Sequence, residues 1–180
     1  STCISTITVD DTIPPTAVCQ DITVQLNNAG TATIAPGDVD NGSFDNCGIN
    51  SSSLDVSDFD CDNAGVNTVT LNIEDDNGNT ASATAEVTVL DTILPEITCI
   101  ADFSDCGPSI NFDDPQYSDN CDVTLTLVSG IESGEEFPVG LTTNRYLAED
   151  LSGNTAECSV NITRYPEPIV TVRADTTVFY

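Results

Sequence analysis

The chain contains no histidine, lysine, methionine or tryptophan, and its only bases are Arg145, Arg164 and Arg173. Without histidine there is no Ser-His-Asp triad, no imidazole base and no His-ligated zinc. Without lysine there is no P-loop lysine and no Schiff base. Three bases stand against 30 acids, a net charge of −27 over 180 residues. Such a charge repels phosphate backbones and anionic membrane surfaces alike, so nucleic acid is not expected as a partner. No apolar run is long enough to span a bilayer, so membrane insertion is not expected, nor does the opening segment read as a signal peptide. The expectation is an internal or processed segment of an exported protein.

Apolar residues make up 39% of the chain and aromatics 6%, below the roughly 45–50% apolar share of ordinary domains. Val, Ile and Leu, set among Thr, Ser, Asn and Asp, form a composition suited to pleated strands and tight turns. The eight cysteines include no C-x-x-C pair, which disfavours both zinc and thiol-redox motifs. Disulfides, and with them an extracellular, cell-surface location, are the expectation.

An internal repeat organises the chain. Asp11-Thr12-Ile13-Pro14-Pro15 with Cys19 recurs as Asp91-Thr92-Ile93-Leu94-Pro95 with Cys99. Asp45-Asn46-Cys47 recurs as Asp119-Asn120-Cys121, and Asn77-Gly78-Asn79-Thr80-Ala81 corresponds to Ser152-Gly153-Asn154-Thr155-Ala156. The expected division is a closing strand of a preceding module at 1–10, modules at 11–90 and 91–165, and an opening strand of a following module at 166–180. Val69, Leu71 and Ile73 alternate with polar residues, as do Ala83, Ala85, Val87 and Val89; between them Asn77-Gly78 marks a hairpin. The fold class expected is all-β, with essentially no helix: tandem Ig-like β-sandwich modules in an extended array.

The second module carries a more specific pattern. Phe137-Pro138-Val139-Gly140-Leu141-Thr142-Thr143, Tyr146, Asp150, Ser152-Gly153-Asn154-Thr155-Ala156 and Cys158 resemble the hyalin repeat (HYR) signature, as do Pro95…Cys99 and Asp119-Asn120-Cys121. The first module resembles a bacterial variant of it. Two departures stand out: Asn144 falls where Val69 points inward, and Ala83 replaces the closing cysteine. The resemblance implies Ig-like stalk modules of extracellular proteins, including large bacterial surface adhesins such as the gliding adhesins of the type 9 secretion system.

Position matching suggests pairing Cys99 with Cys158, Cys106 with Cys121 and Cys47 with Cys61. Cys19 is then left without a partner, and Cys3 is assigned to a cysteine outside the chain, a Cys3–Cys19 bridge being the alternative. In an Ig-like sandwich the acids would gather at one pole of each module: Asp11, Asp40, Asp45 and Asp75 in the first, Asp91, Asp114, Asp119 and Asp150 in the second. Converging carboxylates without a basic partner call for a cation, and Ca²⁺, which takes oxygen ligands, suits weak extracellular sites. The alternative is a solvated anionic surface that keeps a long fibre soluble.

No catalytic constellation emerges, and the chain is read as a non-enzyme. The leading function is a rigid, acidic, disulfide-braced stalk segment of an adhesin or surface filament. The alternatives are an adhesion module that itself binds carbohydrate or protein, and a subunit polymerising by strand exchange into a fibre. The expected partners are neighbouring modules of the same chain or copies of itself, with a possible extracellular protein or polysaccharide ligand.

Overall fold

The computed structural model describes residues 3–6 and 10–169. The described residues fall into two compact units, those up to 93 with 120–122 and 151–154, and those of 94–119, 123–150 and 155–169. Residues 3–6 and 166–169, in the expected terminal strands, carry no strand, while 7–9 and 170–180 lie outside the described residues.

In the first unit, strands β1 (Ile22–Gln25), β3 (Ile49–Leu54), β5 (Gly65–Asp75) and β6 (Thr80–Leu90) form a sheet in the order β1-β6-β5-β3. The two long strands are those whose alternation is visible in sequence. Val69, Leu71 and Ile73 on β5 and Ala85, Val87 and Val89 on β6 are almost fully buried, and their polar neighbours face away. β1 runs parallel to β6, with Ile22 opposite Val87. A second, two-stranded sheet of β2 (Ala32–Thr33) and β4 (Asp58–Phe59) contributes Phe59, and Leu26, Ile34 and Val39 complete the core.

Among the described residues, helix is confined to two short pieces, α1 (Pro36–Val39) and a 3₁₀ turn at Cys61–Asn63. Pro36 opens α1, where its missing N–H costs nothing, and the Asp38 carboxylate accepts from the Ala35 amide at 2.7 Å. The 3₁₀ turn is capped by Asp60, whose carboxylate accepts from the Asp62 amide at 3.0 Å.

The second unit has the same plan. Strands β8 (Phe103–Asp105), β10 (Val123–Ser129), β11 (Gly140–Asp150) and β12 (Thr155–Arg164) lie in the order β10-β11-β12-β8, β8 parallel to β12. β7 (Glu96–Thr98) pairs with β9 (Gln116–Ser118). Its core holds Ile110, Phe137, Tyr146, Val160 and Ile162, with the Phe112 ring between those of Phe103 and Phe137, at 5.7 and 6.1 Å.

Asn144, the polar departure in the apolar row of β11, is fully buried and fully used. Its Oδ1 accepts from the Ile131 amide at 3.0 Å, and its Nδ2 donates to the Ile131 carbonyl at 2.7 Å and to the Tyr146 hydroxyl at 3.3 Å. It substitutes for a missing strand neighbour and ties down the segment after β10. Gly130 makes the approach possible: with φ +122°, a Cβ there would lie 2.1 Å from the Asn144 Oδ1.

Candidate functional site

The β5–β6 hairpin shows how the acidic positions are built. Asp75, at the end of β5, is 1% exposed. Its Oδ1 accepts from the Asn77 and Asn79 amides at 2.8 Å each, and its Oδ2 accepts from the Asn79 side chain at 2.7 Å. Burial works to raise this carboxyl, but the bonds from Asn79, Asn77 and Gly78 outweigh it and hold it below the usual value. The same Asn79 amide donates to the Asp11 carbonyl at 3.0 Å, fastening the opening segment to the hairpin.

Beside Asp75, the Asp45-Asn46-Cys47 turn meets Asp11. Carboxylate oxygens of Asp11 and Asp45 and the Cys47 sulfur all lie within 4.8 Å of one another. Each carboxylate spends one oxygen on a backbone amide: Asp11 Oδ1 accepts from Ile13 at 3.0 Å, and Asp45 Oδ2 from Cys47 at 2.7 Å. The other oxygens, Asp11 Oδ2 and Asp45 Oδ1, are buried and have no hydrogen-bond partner. The neighbouring Cys47 thiol and the Ile13 amide lower the Asp11 carboxyl, against burial and the Asp75 charge. Reciprocally, Asp11 raises the Cys47 thiol, aided by burial and by the charges of Asp45 and Asp75. The two carboxylates therefore lie side by side in a unit whose repeat contains no Lys or Arg.

The remaining aspartates fall elsewhere. Asp40 is spent on a turn: its Oδ1 accepts from the Ser43 amide at 2.9 Å, and the Ser43 hydroxyl and amide lower its carboxyl. In the first unit, Asp91 is 7% exposed. Its Oδ1 accepts from the Ile93 amide at 3.2 Å and the Asn120 side chain at 3.3 Å, while Oδ2 is buried without a hydrogen-bond partner. In the second unit, Asp119 and the buried Asp150 bring carboxylate oxygens within 4.8 Å. Asp114 is exposed and lines a separate cavity of about 320 Å³ with Leu125, Leu127, Glu132, Ser133 and Tyr146.

The disulfides correct part of the expected pairing. Cys99 is bonded to Cys158, with Cα atoms 5.8 Å apart, but Cys61 is bonded to Cys121, Cα atoms 5.7 Å apart. The expected local pairs Cys47–Cys61 and Cys106–Cys121 do not form, and Cys3, Cys19, Cys47 and Cys106 are free thiols. The reason is placement: residues 120–122 pack in the first unit. There Cys61 and Cys121 lie together against its core, within the Cα range a disulfide requires. Gly30, at φ +70°, leaves the room, since a Cβ there would sit 2.6 Å from the Asn120 carbonyl oxygen and 2.8 Å from the Cys61 sulfur. Cys19 is half-buried, and burial, followed by the Asp40 charge, raises its thiol. Sequence reasoning misses Cys47 as a neighbour of the Asp11 and Asp45 carboxylates. The signal for it lies in the recurrence of Asp-Asn-Cys.

Comparison with known proteins finds a family match in the second repeat. Residues 90–164 match the family model described as HYR domain. Hyalin of Strongylocentrotus purpuratus is 31% identical over 166 residues, covering 86% of this chain and 14% of that protein. The sushi, von Willebrand factor type A, EGF and pentraxin domain-containing protein 1 of Mus musculus is 35% identical over 95 residues, covering 48% of this chain and 3% of that protein. Among solved structures, cadherin domains 1–4 of protocadherin gamma B7 align over 86% of this chain and 51% of that one, with 13% identity and a TM-score of 0.37. The repeat closed by the Cys99–Cys158 disulfide is thus matched, over residues 90–164, as a HYR domain.

Proposed function

We propose that the chain is a structural repeat segment of an extracellular adhesin or surface filament, of the kind built by large bacterial gliding adhesins. Its acidic, disulfide-braced sandwiches form a rigid stalk stiffened by Ca²⁺. The observation that carries the calcium reading is the pair of buried carboxylate oxygens without hydrogen-bond partners, Asp11 Oδ2 and Asp45 Oδ1. Two like charges side by side repel one another unless a cation lies between them. Their chemistry fits calcium: hard oxygen donors suit it, and the soft Cys47 sulfur does not. Asp11 and Asp45 would hold the ion, with water and backbone carbonyls completing the 6–8 oxygens that Ca²⁺ takes. Asp75, already committed to the hairpin amides, positions Asp11 through Asn79. Two disulfides and the HYR-like pattern support the extracellular assignment.

The test is calorimetric titration of Ca²⁺ into chelator-treated protein, paired with X-ray scattering over a concentration series with and without EDTA. Binding in the millimolar range or tighter, weakened at least tenfold in Asp11→Asn or Asp45→Asn, is expected. An identical scattering profile with and without EDTA would remove the calcium stiffening and leave disulfides and packing to hold the stalk. A particle that grows with concentration would favour the strand-exchanged subunit instead.

A further inference from the structure

The two Asp-Asn-Cys turns have the same local build but different fates. In each, the asparagine side chain reaches the following sulfur: Asn46 Nδ2 lies 3.2 Å from the Cys47 Sγ, and Asn120 Nδ2 lies 3.5 Å from the Cys121 Sγ. Cys121 is bonded to Cys61, whereas Cys47 is exposed and free. The bond that Cys121 makes is not local. By sequence Cys121 belongs to the second repeat, and in the structure residues 120–122 pack in the first unit.

The surface that receives it is specific. Cys61 sits on the 3₁₀ turn held by Asp60, and the Asn27–Thr31 turn lies beside it. That second turn is tied by the Asn27 carboxamide oxygen, which accepts from the Ala29 amide at 2.8 Å and the Thr31 amide at 3.2 Å. Gly30 leaves the space that the Asn120 carbonyl and the Cys61 sulfur occupy. The first repeat therefore carries both halves of a junction, a receiving half at Gly30 and Cys61 and an inserting half at Asp45-Asn46-Cys47. Four residues before Gly65, the first residue of β5, stands Cys61, but four before Gly140, the first residue of β11, stands Glu136. The second repeat has the inserting half alone.

We propose that Cys47 is a disulfide site for another repeat of the first kind, bonding the cysteine that stands there at the Cys61 position. Successive repeats are thereby joined covalently, side chain to side chain, in a head-to-tail series. Two thiols are oxidised to one disulfide by exchange with an oxidised disulfide such as glutathione disulfide. The first thiolate displaces one glutathione thiol to give a mixed disulfide, and the second thiolate displaces the other. Two hydrogens pass to the oxidant, and none of this depends on calcium.

The test is the full chain with residues 11–90 duplicated in tandem, so that the second Asp11 follows the first Leu90 as Asp91 follows it natively. After refolding in a glutathione redox buffer, free thiols are alkylated and the protein is cleaved at Asp and aromatic residues for mass mapping, trypsin having no lysines to cut. The expected result is one disulfide more than in the native chain, joining Cys61 of the leading copy to Cys47 of the following copy. Cys61 of the following copy remains bonded to Cys121. Gly30→Val in the leading copy should abolish the new bond and leave the other two. The proposal is overturned if the following copy's Cys47 is alkylated while the Cys61–Cys121 and Cys99–Cys158 bonds have formed. It is equally overturned if Cys47 bonds Cys3 or Cys19, or if the native chain lacks the Cys61–Cys121 bond.

Discussion

Replacing Asn144 by valine would give the second repeat the apolar row that the first has at Val69, and it should nevertheless destabilise it. The side chain makes three hydrogen bonds, two to the backbone of Ile131 and one to the Tyr146 hydroxyl. Valine makes none, so the Ile131 amide and carbonyl lose partners at about 1–3 kcal/mol each. Burying the valine side chain returns about 1.5–3 kcal/mol. With the three lost bonds, that of the buried Tyr146 hydroxyl included, at about 1.5 kcal/mol each and about 2.5 kcal/mol returned by burial of valine, the net loss is about 2 kcal/mol. A module of this size then loses about 8–16 °C in Tm. Thermal unfolding followed by circular dichroism reads the loss, with hydrogen exchange of residues 129–134 locating it. An Asn144→Asp variant sharpens the test. Ionised, it faces the Ile131 carbonyl with a negative oxygen; protonated, it can donate there as asparagine does. Burial raises its carboxyl, so its stability should recover as pH falls through that raised value. A valine variant with unchanged or higher Tm would refute the reasoning.

Other outcomes follow from the same structure. The carboxyls of Asp11, Asp40, Asp55, Asp75 and Asp102 are all held below their usual value by hydrogen bonds. Their stabilisation is complete above the unfolded carboxylate value of about 3.9 and is lost as pH falls through the lower folded values. Acid titration of Tm should thus be flat from neutrality to about pH 5 and fall steeply below about pH 4, less steeply in Asp75→Asn. Cys158→Ser opens a loop of 59 residues, and loop entropy alone predicts a loss of about 4 kcal/mol in urea denaturation. Leu71→Ala, at a position with 0% exposure, should cost the first unit about 2–5 kcal/mol and leave the second unit's unfolding unmoved in hydrogen exchange.

The long strands are legible in the amino-acid pattern because 11-residue runs such as Gly65–Asp75 give alternation room to show. The Asn77-Gly78 turn is legible because only a few residue types tolerate its backbone. Strands of two or three residues, such as Ala32–Thr33 and Glu96–Thr98, are not, since so short a segment has no period and owes its extension to packing. Matching the repeats brings Asp11, Asp45 and Asp75 to one region, but it does not separate Asp40 from them. The Asp40 carboxylate has the same chemistry and differs only in having Ser43 at hand. Cysteine pairing is the least legible part: spacing along the chain favours near neighbours, whereas Cys61 meets a partner 60 residues away through folding of the intervening chain.

The parallel pairing of β1 with β6 has a mechanical consequence. Because the entering and leaving strands of the first unit point the same way, tension applied through the polypeptide slides them along one another. Their ladder is loaded in shear, and its hydrogen bonds must give way together rather than one after another. In the second unit the Cys99–Cys158 bond joins the opening segment directly to β12. A pulling force entering ahead of Cys99 crosses that covalent bridge, so the 59-residue loop it closes bears no load and releases no length. The first unit yields by sliding, and the second transmits force through sulfur.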